Sequence, residues 1–167
     1  NLFRRFPIYL NAKTRQWDDL PDPAIGLSGK NVTILGKGNV GSRVGTICEA
    51  FGMNANYFTR RNDLPESIRY ADVVVDCLSL NQSTKGLLDK TFFRGFKRGA
   101  FFITPTGREI WDADALIESL DNGTLGGAAT DAGNVQIGNV DDPFYQKLLA
   151  HPKILVTPHI AYSTDVT

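Results

Sequence analysis

The chain has 167 residues, with 18 Lys+Arg against 18 Asp+Glu, 42% hydrophobic residues and 22% charged ones. That length suits one domain with a sizeable core, and the balanced charge excludes a general field for nucleic acid or anionic lipid. No apolar run approaches the ~20 residues that span a bilayer and no signal-peptide pattern opens the chain, so a cytoplasmic protein without a membrane partner is expected.

Residues 1–28 read as a lead-in. Arg4-Arg5-Phe6-Pro7 marks the end of a short helix, and Trp17 to Pro23 form an extended, proline-punctuated arm. Ser28, Gly29 and Lys30 make a turn before the first strong strand signal. From there strand-like and helix-like segments alternate through the rest of the chain. Strands are expected at Val32–Leu35, Ala55–Thr59, Val73–Leu78, Ala100–Thr104, Gly127–Asp131 and Ile154–Thr157. Several are unbroken runs of Val, Ile and Phe, as in strands covered on both faces of a parallel sheet. Helices are expected at Val40–Phe51, Pro65–Tyr70, Leu87–Phe93, Ala113–Asn122 and Pro143–Ala150. Asp112 is placed to cap the fourth helix and Gly123 to end it. The alternation implies an α/β fold of the Rossmann type, a doubly wound parallel sheet of about six strands with helices on both faces. Cys48 and Cys77 fall in a helix and a strand without metal-ligand spacing, and read as small buried thiols of a reducing compartment.

The first strand runs into Gly36-Lys37-Gly38-Asn39-Val40-Gly41, a G-x-G-x-x-G turn, and a helix follows at once. Gly36 permits the tight turn, Gly38 lets the backbone approach a pyrophosphate, and Gly41 allows close packing of helix on strand. Asn39 and Val40 open the helix, whose N-terminal N–H groups face the anion. A strand before, a helix after and a second strand in sequence raise this motif above a lone glycine turn. About 20 residues on, a site for NAD places an acidic residue against the ribose 2′-hydroxyl. Here Thr59 stands in that position, followed by Arg60 and Arg61. Guanidinium groups pair with a 2′-phosphate, so NADP is the preferred cofactor, with NAD as the alternative.

From Gly29 onward the chain resembles the D-isomer-specific 2-hydroxyacid dehydrogenases. The resemblance runs through Trp17, Gly26, Leu27, Gly29, Lys30 and the glycine turn, then through Ala71-Asp72-Val73-Val74, Thr84, Gly86 and Leu87. It ends in Thr157-Pro158-His159-Ile160-Ala161, similar to the family's "TPHIA". The resemblance implies a hydride exchanged between NAD(P) and a small 2-keto or D-2-hydroxy acid. It makes His159 the residue that exchanges the substrate's hydroxyl proton. It puts Asp131 near the nicotinamide carboxamide, and Leu78, Ser79, Thr84, Thr106 and Ala161 around the cofactor.

Two catalytic positions depart from the pattern. Where the family reads "N-x-A-R-G", this chain has Thr104-Pro105-Thr106-Gly107-Arg108, so the candidate substrate clamp Arg108 lies one place late. Where the family has a glutamate to partner its histidine, this chain has Gln136. A neutral amide orients an imidazole without favouring its charged form as an anion does. The alternative reading is therefore a catalytically degenerate dinucleotide-binding sensor or interaction module. The resemblance makes residues 29–167 the dinucleotide-binding domain and implies a substrate domain outside this chain. The chain opens on Asn1 rather than Met, which fits a piece of a longer protein. The lead-in arm resembles a dimerisation segment, with Phe3, Phe6, Ile8, Tyr9 and Trp17 supplying apolar surface for a homodimer.

Overall fold

The computed structural model describes residues 25–58, 64–131 and 141–161. The lead-in arm up to residue 24, Thr59, Arg60, Arg61 and Gln136 lie outside the described residues. The strands are β1 (Asn31–Leu35), β2 (Asn54–Phe58), β3 (Val73–Asp76), β4 (Ala100–Thr104), β5 (Leu125–Thr130) and β6 (Ile154–Val156). The helices between them are α1 (Asn39–Ala50), α2 (Leu64–Arg69), α3 (Lys90–Arg94), α4 (Ala113–Asp121) and α5 (Pro143–Leu149).

All six strands are parallel, in the order β2-β1-β3-β4-β5-β6. The chain leaves β1 in one direction to form β2 and returns to the other side for β3. The strand order therefore reverses beside β1, and in open α/β sheets ligands bind outside the carboxyl ends of the strands at such a point.

Strand side chains alternate between faces, and here the alternation separates two unequal cores. Val74, Phe102 and Ala128 pack with Ile68 of α2, Phe92 and Phe93 of α3, Leu116 and Leu120 of α4, and Leu148 of α5. The aromatic heart of this face meets edge to face, with Phe93 and Phe102 5.2 Å apart at 87°. On the opposite face Val32, Ile34 and Val75 pack beneath Val44 and Cys48 of α1, with Leu27 alongside. Among the described residues, one helix thus covers the phosphate-turn side while four cover the other.

Two boundaries differ from the sequence expectation, each for a local reason. Strand β3 stops at Asp76 because that side chain folds forward to accept from the Leu78 N–H at 3.0 Å, closing a turn where two more strand residues are expected. Helix α3 starts at Lys90 rather than Leu87 because Asp89 caps it, accepting from Phe92 N–H at 2.9 Å. Leu88 is drawn instead into a bridge with Trp111. Asp112 caps α4 as expected, accepting from the Asp114 and Ala115 N–H groups. Cys48 and Cys77 are free thiols, only half-buried rather than enclosed. No described helix is long and apolar enough to cross a membrane.

Candidate functional site

The glycine turn sits at the carboxyl end of β1, at the reversal point. Gly36 adopts φ 93°, and a Cβ there would meet the Cys77 carbonyl oxygen at 3.0 Å. A Cβ on Gly41 would lie 2.0 Å from the Gly36 carbonyl oxygen, so only glycine fits where α1 meets the turn. Gly38 has nothing within 4 Å of its would-be Cβ, leaving open space over the turn. Gly38 is the N-cap of the 12-residue α1; no side chain caps it and its first turn holds no acidic residue. Free N–H groups and the positive end of a three-turn helix face that opening without a competing carboxylate, a fit for a pyrophosphate. Asn39 and Val40 are exposed at the helix start, and Lys37 lies over the Tyr57 ring at 4.6 Å.

A second recess opens farther along the same sheet edge. A cleft of about 170 Å³ lies at the ends of β4, β5 and β6, lined by Ile103, Thr104, Pro105, Ala129, Thr130, Asp131, Leu155 and Thr157. Asp131 closes one side. It accepts from the Ile160 N–H at 3.0 Å, the Ala161 N–H at 2.8 Å and the Thr157 hydroxyl. Burial pushes the Asp131 carboxyl up. The Thr157 hydroxyl, the two amides and the charge that His159 can carry outweigh that burial and leave the acid below its ordinary value. His159 is half-buried at φ 55°, the one non-glycine residue with positive φ among those described.

A sequence profile described as "D-isomer specific 2-hydroxyacid dehydrogenase, NAD binding domain" matches residues 1–161. The chain belongs to this family. It is 31% identical to the D-3-phosphoglycerate dehydrogenase of Bacillus subtilis, over 98% of this chain and 33% of that protein. Among solved structures it resembles the D-lactate dehydrogenase with NAD+ from Lactobacillus jensenii, with TM-score 0.79 and 25% identity, covering 98% of this chain and 56% of that one. The pyruvate reductase of Chlamydomonas reinhardtii shares the fold at TM-score 0.84 and 21% identity, covering 98% and 57% respectively. The chain therefore spans from a third to somewhat over half the length of these relatives.

For a 2-hydroxyacid dehydrogenase domain, the side chains are distributed unevenly around these two recesses. Asp131, at the end of β5, comes together with His159 and Ala161 of the loop after β6. Arg108 does not hang free. Its guanidinium is 3.6 Å from the Asp142 carboxylate and stacks over the Phe144 ring at 5.2 Å, at the start of α5. Thr84 is buried, and its hydroxyl donates to the Ser79 carbonyl at 2.7 Å, folding the loop after β3. Leu78 lies against the Gly36 turn and the Ser79 side chain is exposed. His151 is committed elsewhere, with Nε2 3.3 Å from Asp121 Oδ1.

Sequence reasoning passed over Asp76. Its residue is fully buried at the end of β3, and its carboxylate accepts from Thr104 at 3.1 Å, Thr106 at 2.5 Å and the Leu78 N–H at 3.0 Å. Burial pushes its carboxyl above the ordinary value despite the hydrogen bonds from Thr106, Leu78 and Thr104. Burial and the neighbouring Asp76 charge, with a smaller contribution from Cys48, push the Cys77 thiol up to about 11, so it is no nucleophile at neutral pH. An acidic residue ending a hydrophobic strand, with two threonines at the end of the next, is the only sequence signal that marks this cluster.

Proposed function

We propose that this chain is the dinucleotide-binding part of an oxidoreductase that moves a hydride between NADP(H) and a 2-keto or D-2-hydroxy acid. The observation that carries the reading is the pairing of an uncapped helix start over open space at Gly38 with an apolar cleft at the ends of β4 to β6. An apolar cavity of about 150 Å³ accepts one benzene-sized ring, so the 170 Å³ cleft suits the nicotinamide end of a dinucleotide whose pyrophosphate rests on α1. The bound nicotinamide supplies the hydride chemistry. His159 exchanges the hydroxyl proton of the substrate, and Asp131 holds the loop on which that histidine stands. Leu78, Ser79, Thr106 and Ala161 border the cofactor, while Thr84 shapes the loop. Gln136, standing where the family has its glutamate, is assigned as the neutral partner of His159.

The preference for NADP rests on Thr59, Arg60 and Arg61, where a carboxylate would repel a 2′-phosphate. Residues 29–167 form the dinucleotide-binding domain and residues 1–28 a dimerisation arm. Exposed Ile47 of α1 and Phe51 at its C-cap add apolar surface suited to a second copy. A cytoplasmic location fits the two free thiols. The deciding experiment is calorimetric titration with NADP+ and NAD+ at matched ionic strength, beside an Arg60→Ala/Arg61→Ala variant. Tighter NADP+ binding that the variant loses supports the reading; failure to bind either dinucleotide ends it.

One observation favours a second reading, a dinucleotide-binding sensor or interaction module without turnover. The engagement of Arg108 with Asp142 and Phe144 occupies the candidate clamp. Full-length protein that binds dinucleotide yet reduces no 2-keto acid would establish it.

A further inference from the structure

We infer that Asp76 is a positioning residue that ties together the two walls of the dinucleotide crevice, the floor of the glycine turn and the loop after β4. The role belongs to no residue of the hydride chemistry and rests on how three segments converge on one carboxylate.

Asp76 stands at the end of β3, between β1 and β4 in the sheet. Its Oδ1 accepts from the Leu78 N–H at 3.0 Å, which bends residues 77 and 78 across the carboxyl end of β1. There the Cys77 carbonyl and the Leu78 side chain form the surface on which Gly36 lies, at 3.0 and 3.6 Å from the position of a Cβ. Oδ2 faces the other way and accepts from the Thr104 and Thr106 hydroxyls at 3.1 and 2.5 Å. Those hydroxyls are 2.9 Å from each other, and the Thr106 N–H turns back to Thr104 Oγ1 at 3.3 Å. One fully buried acid therefore fixes both the support of the phosphate turn and the first residues of the segment that leads to Arg108.

The three hydrogen bonds make this carboxylate a tie between the two strand ends. Strands β3 and β4 are already registered by their ladder through Val75 and Ile103, so the sheet needs no further bond at this level. An ionised or polar carboxyl in a fully buried position is costly unless its partners use every lone pair. Valine or leucine would fill a strand end more cheaply. What the acid adds is an anchor at the strand-end bases of two loops whose backbone bonds to each other lie farther out, from the Gly86 N–H to the Glu109 carbonyl at 2.8 Å and from the Leu88 N–H to the Ile110 carbonyl at 3.0 Å.

The test compares Asp76→Leu, Thr106→Val and Asp76→Asn in the full-length protein. Amide hydrogen exchange without ligand is read at Leu78 and Thr106 against the β1 amides. Titration with NADH and NADPH is read beside it. Asp76→Leu and Thr106→Val are expected to speed exchange at both loop amides beyond any change in β1, and to weaken dinucleotide binding by about tenfold, the scale of one lost hydrogen-bonded support. Asp76→Asn keeps the outline and the hydrogen-bonding capacity, and is expected to recover most of both properties. The Asp76→Leu/Thr106→Val pair is expected to be no weaker than Asp76→Leu alone, because both remove one tie. Loop exchange that changes only in step with β1 would overturn the inference, as would a fully additive pair. The binding arm rests on the proposed dinucleotide function. If the unaltered protein binds no dinucleotide, that function fails, and the ligand-free exchange still decides the role of Asp76.

Discussion

Asp131 holds His159 in a left-handed backbone conformation. Its carboxylate accepts the N–H groups of Ile160 and Ala161, the two residues after the histidine, while the His159 N–H turns back to the Thr157 carbonyl at 3.0 Å. At φ 55° a histidine costs about 1 kcal/mol or more against an extended or helical backbone, and such a conformation lasts only where neighbours impose it. The strain marks the loop as one whose geometry matters more than its stability.

Removing that anchor is expected to be expensive. Asp131→Ala leaves two backbone donors and a hydroxyl unpaired in a half-enclosed corner, at a cost of about 2–3 kcal/mol in urea denaturation. Asp131→Asn is expected to lose less stability, because its amide oxygen still accepts. Equal losses for the two variants would contradict the carboxylate's role as a loop anchor.

The two strand-end acids are expected to bend the pH profile of stability in opposite directions. Asp131 titrates below its ordinary 3.8 in the folded chain, so its stabilisation is complete above that value and is lost as pH falls through the lower folded pKa. Asp76 titrates above its ordinary 3.8, so the folded state keeps a proton that the unfolded chain has released. Stability is therefore expected to fall as pH rises from about that value through the higher folded pKa, then level off. Denaturation midpoints of Asp76→Asn measured from acid to neutral pH are expected to lack this decline. An unchanged slope would assign it to another group.

The glycines of the turn separate folding from binding. Gly41→Ala places a methyl 2.0 Å from the Gly36 carbonyl oxygen and is expected to cost about 1–3 kcal/mol through overpacking. Gly38→Ala meets nothing within 4 Å, so it is expected to cost no more than the modest loss of replacing a glycine N-cap, well short of the clash at Gly41, while dinucleotide affinity drops. A Gly38→Ala protein that binds as tightly as the unaltered chain would remove the pyrophosphate from this turn.

Exposed Arg108 and half-buried Asp142 form a long pair at 3.6 Å, a geometry worth about 1 kcal/mol or less. Asp142 also caps α5, accepting from the Phe144 and Tyr145 N–H groups. Asp142→Ala is expected to cost about 1 kcal/mol by urea denaturation through the cap, whereas Asp142→Asn keeps the cap and costs a few tenths. A large loss in Asp142→Asn would show that the charge pair, and not the cap, is the stabilising element.

What the sequence made legible was what local chemistry dictates. The glycine turn, the Val- and Ile-rich strands and the Asp112 cap each follow from a few neighbouring residues, and the parallel, doubly wound character of the sheet follows from their alternation. Partnerships between distant segments stayed hidden. Arg108 meets Asp142 from 34 positions away, a pairing that depends on how the end of β4 faces the start of α5. Asp76 reads as an ordinary polar strand end until Thr104 and Thr106 arrive beside it from the next strand. The resemblance put Asp131 near the carboxamide, and only the folded loop reveals how much of its carboxylate is spent on residues 157 to 161.

The position of β1 inside the sheet governs when this chain can acquire its shape. The first of the described strands in chain order, it needs β2 on one side and β3 on the other, and β3 begins only at Val73. The larger core stays incomplete until Leu148 of α5 arrives. During synthesis the early strands must therefore wait with apolar flanks exposed, since parallel pairing rewards the chain only after long loops have closed. The phosphate turn, which precedes β2 to β6 in the chain, therefore gains its full support only when those later strands have been laid down.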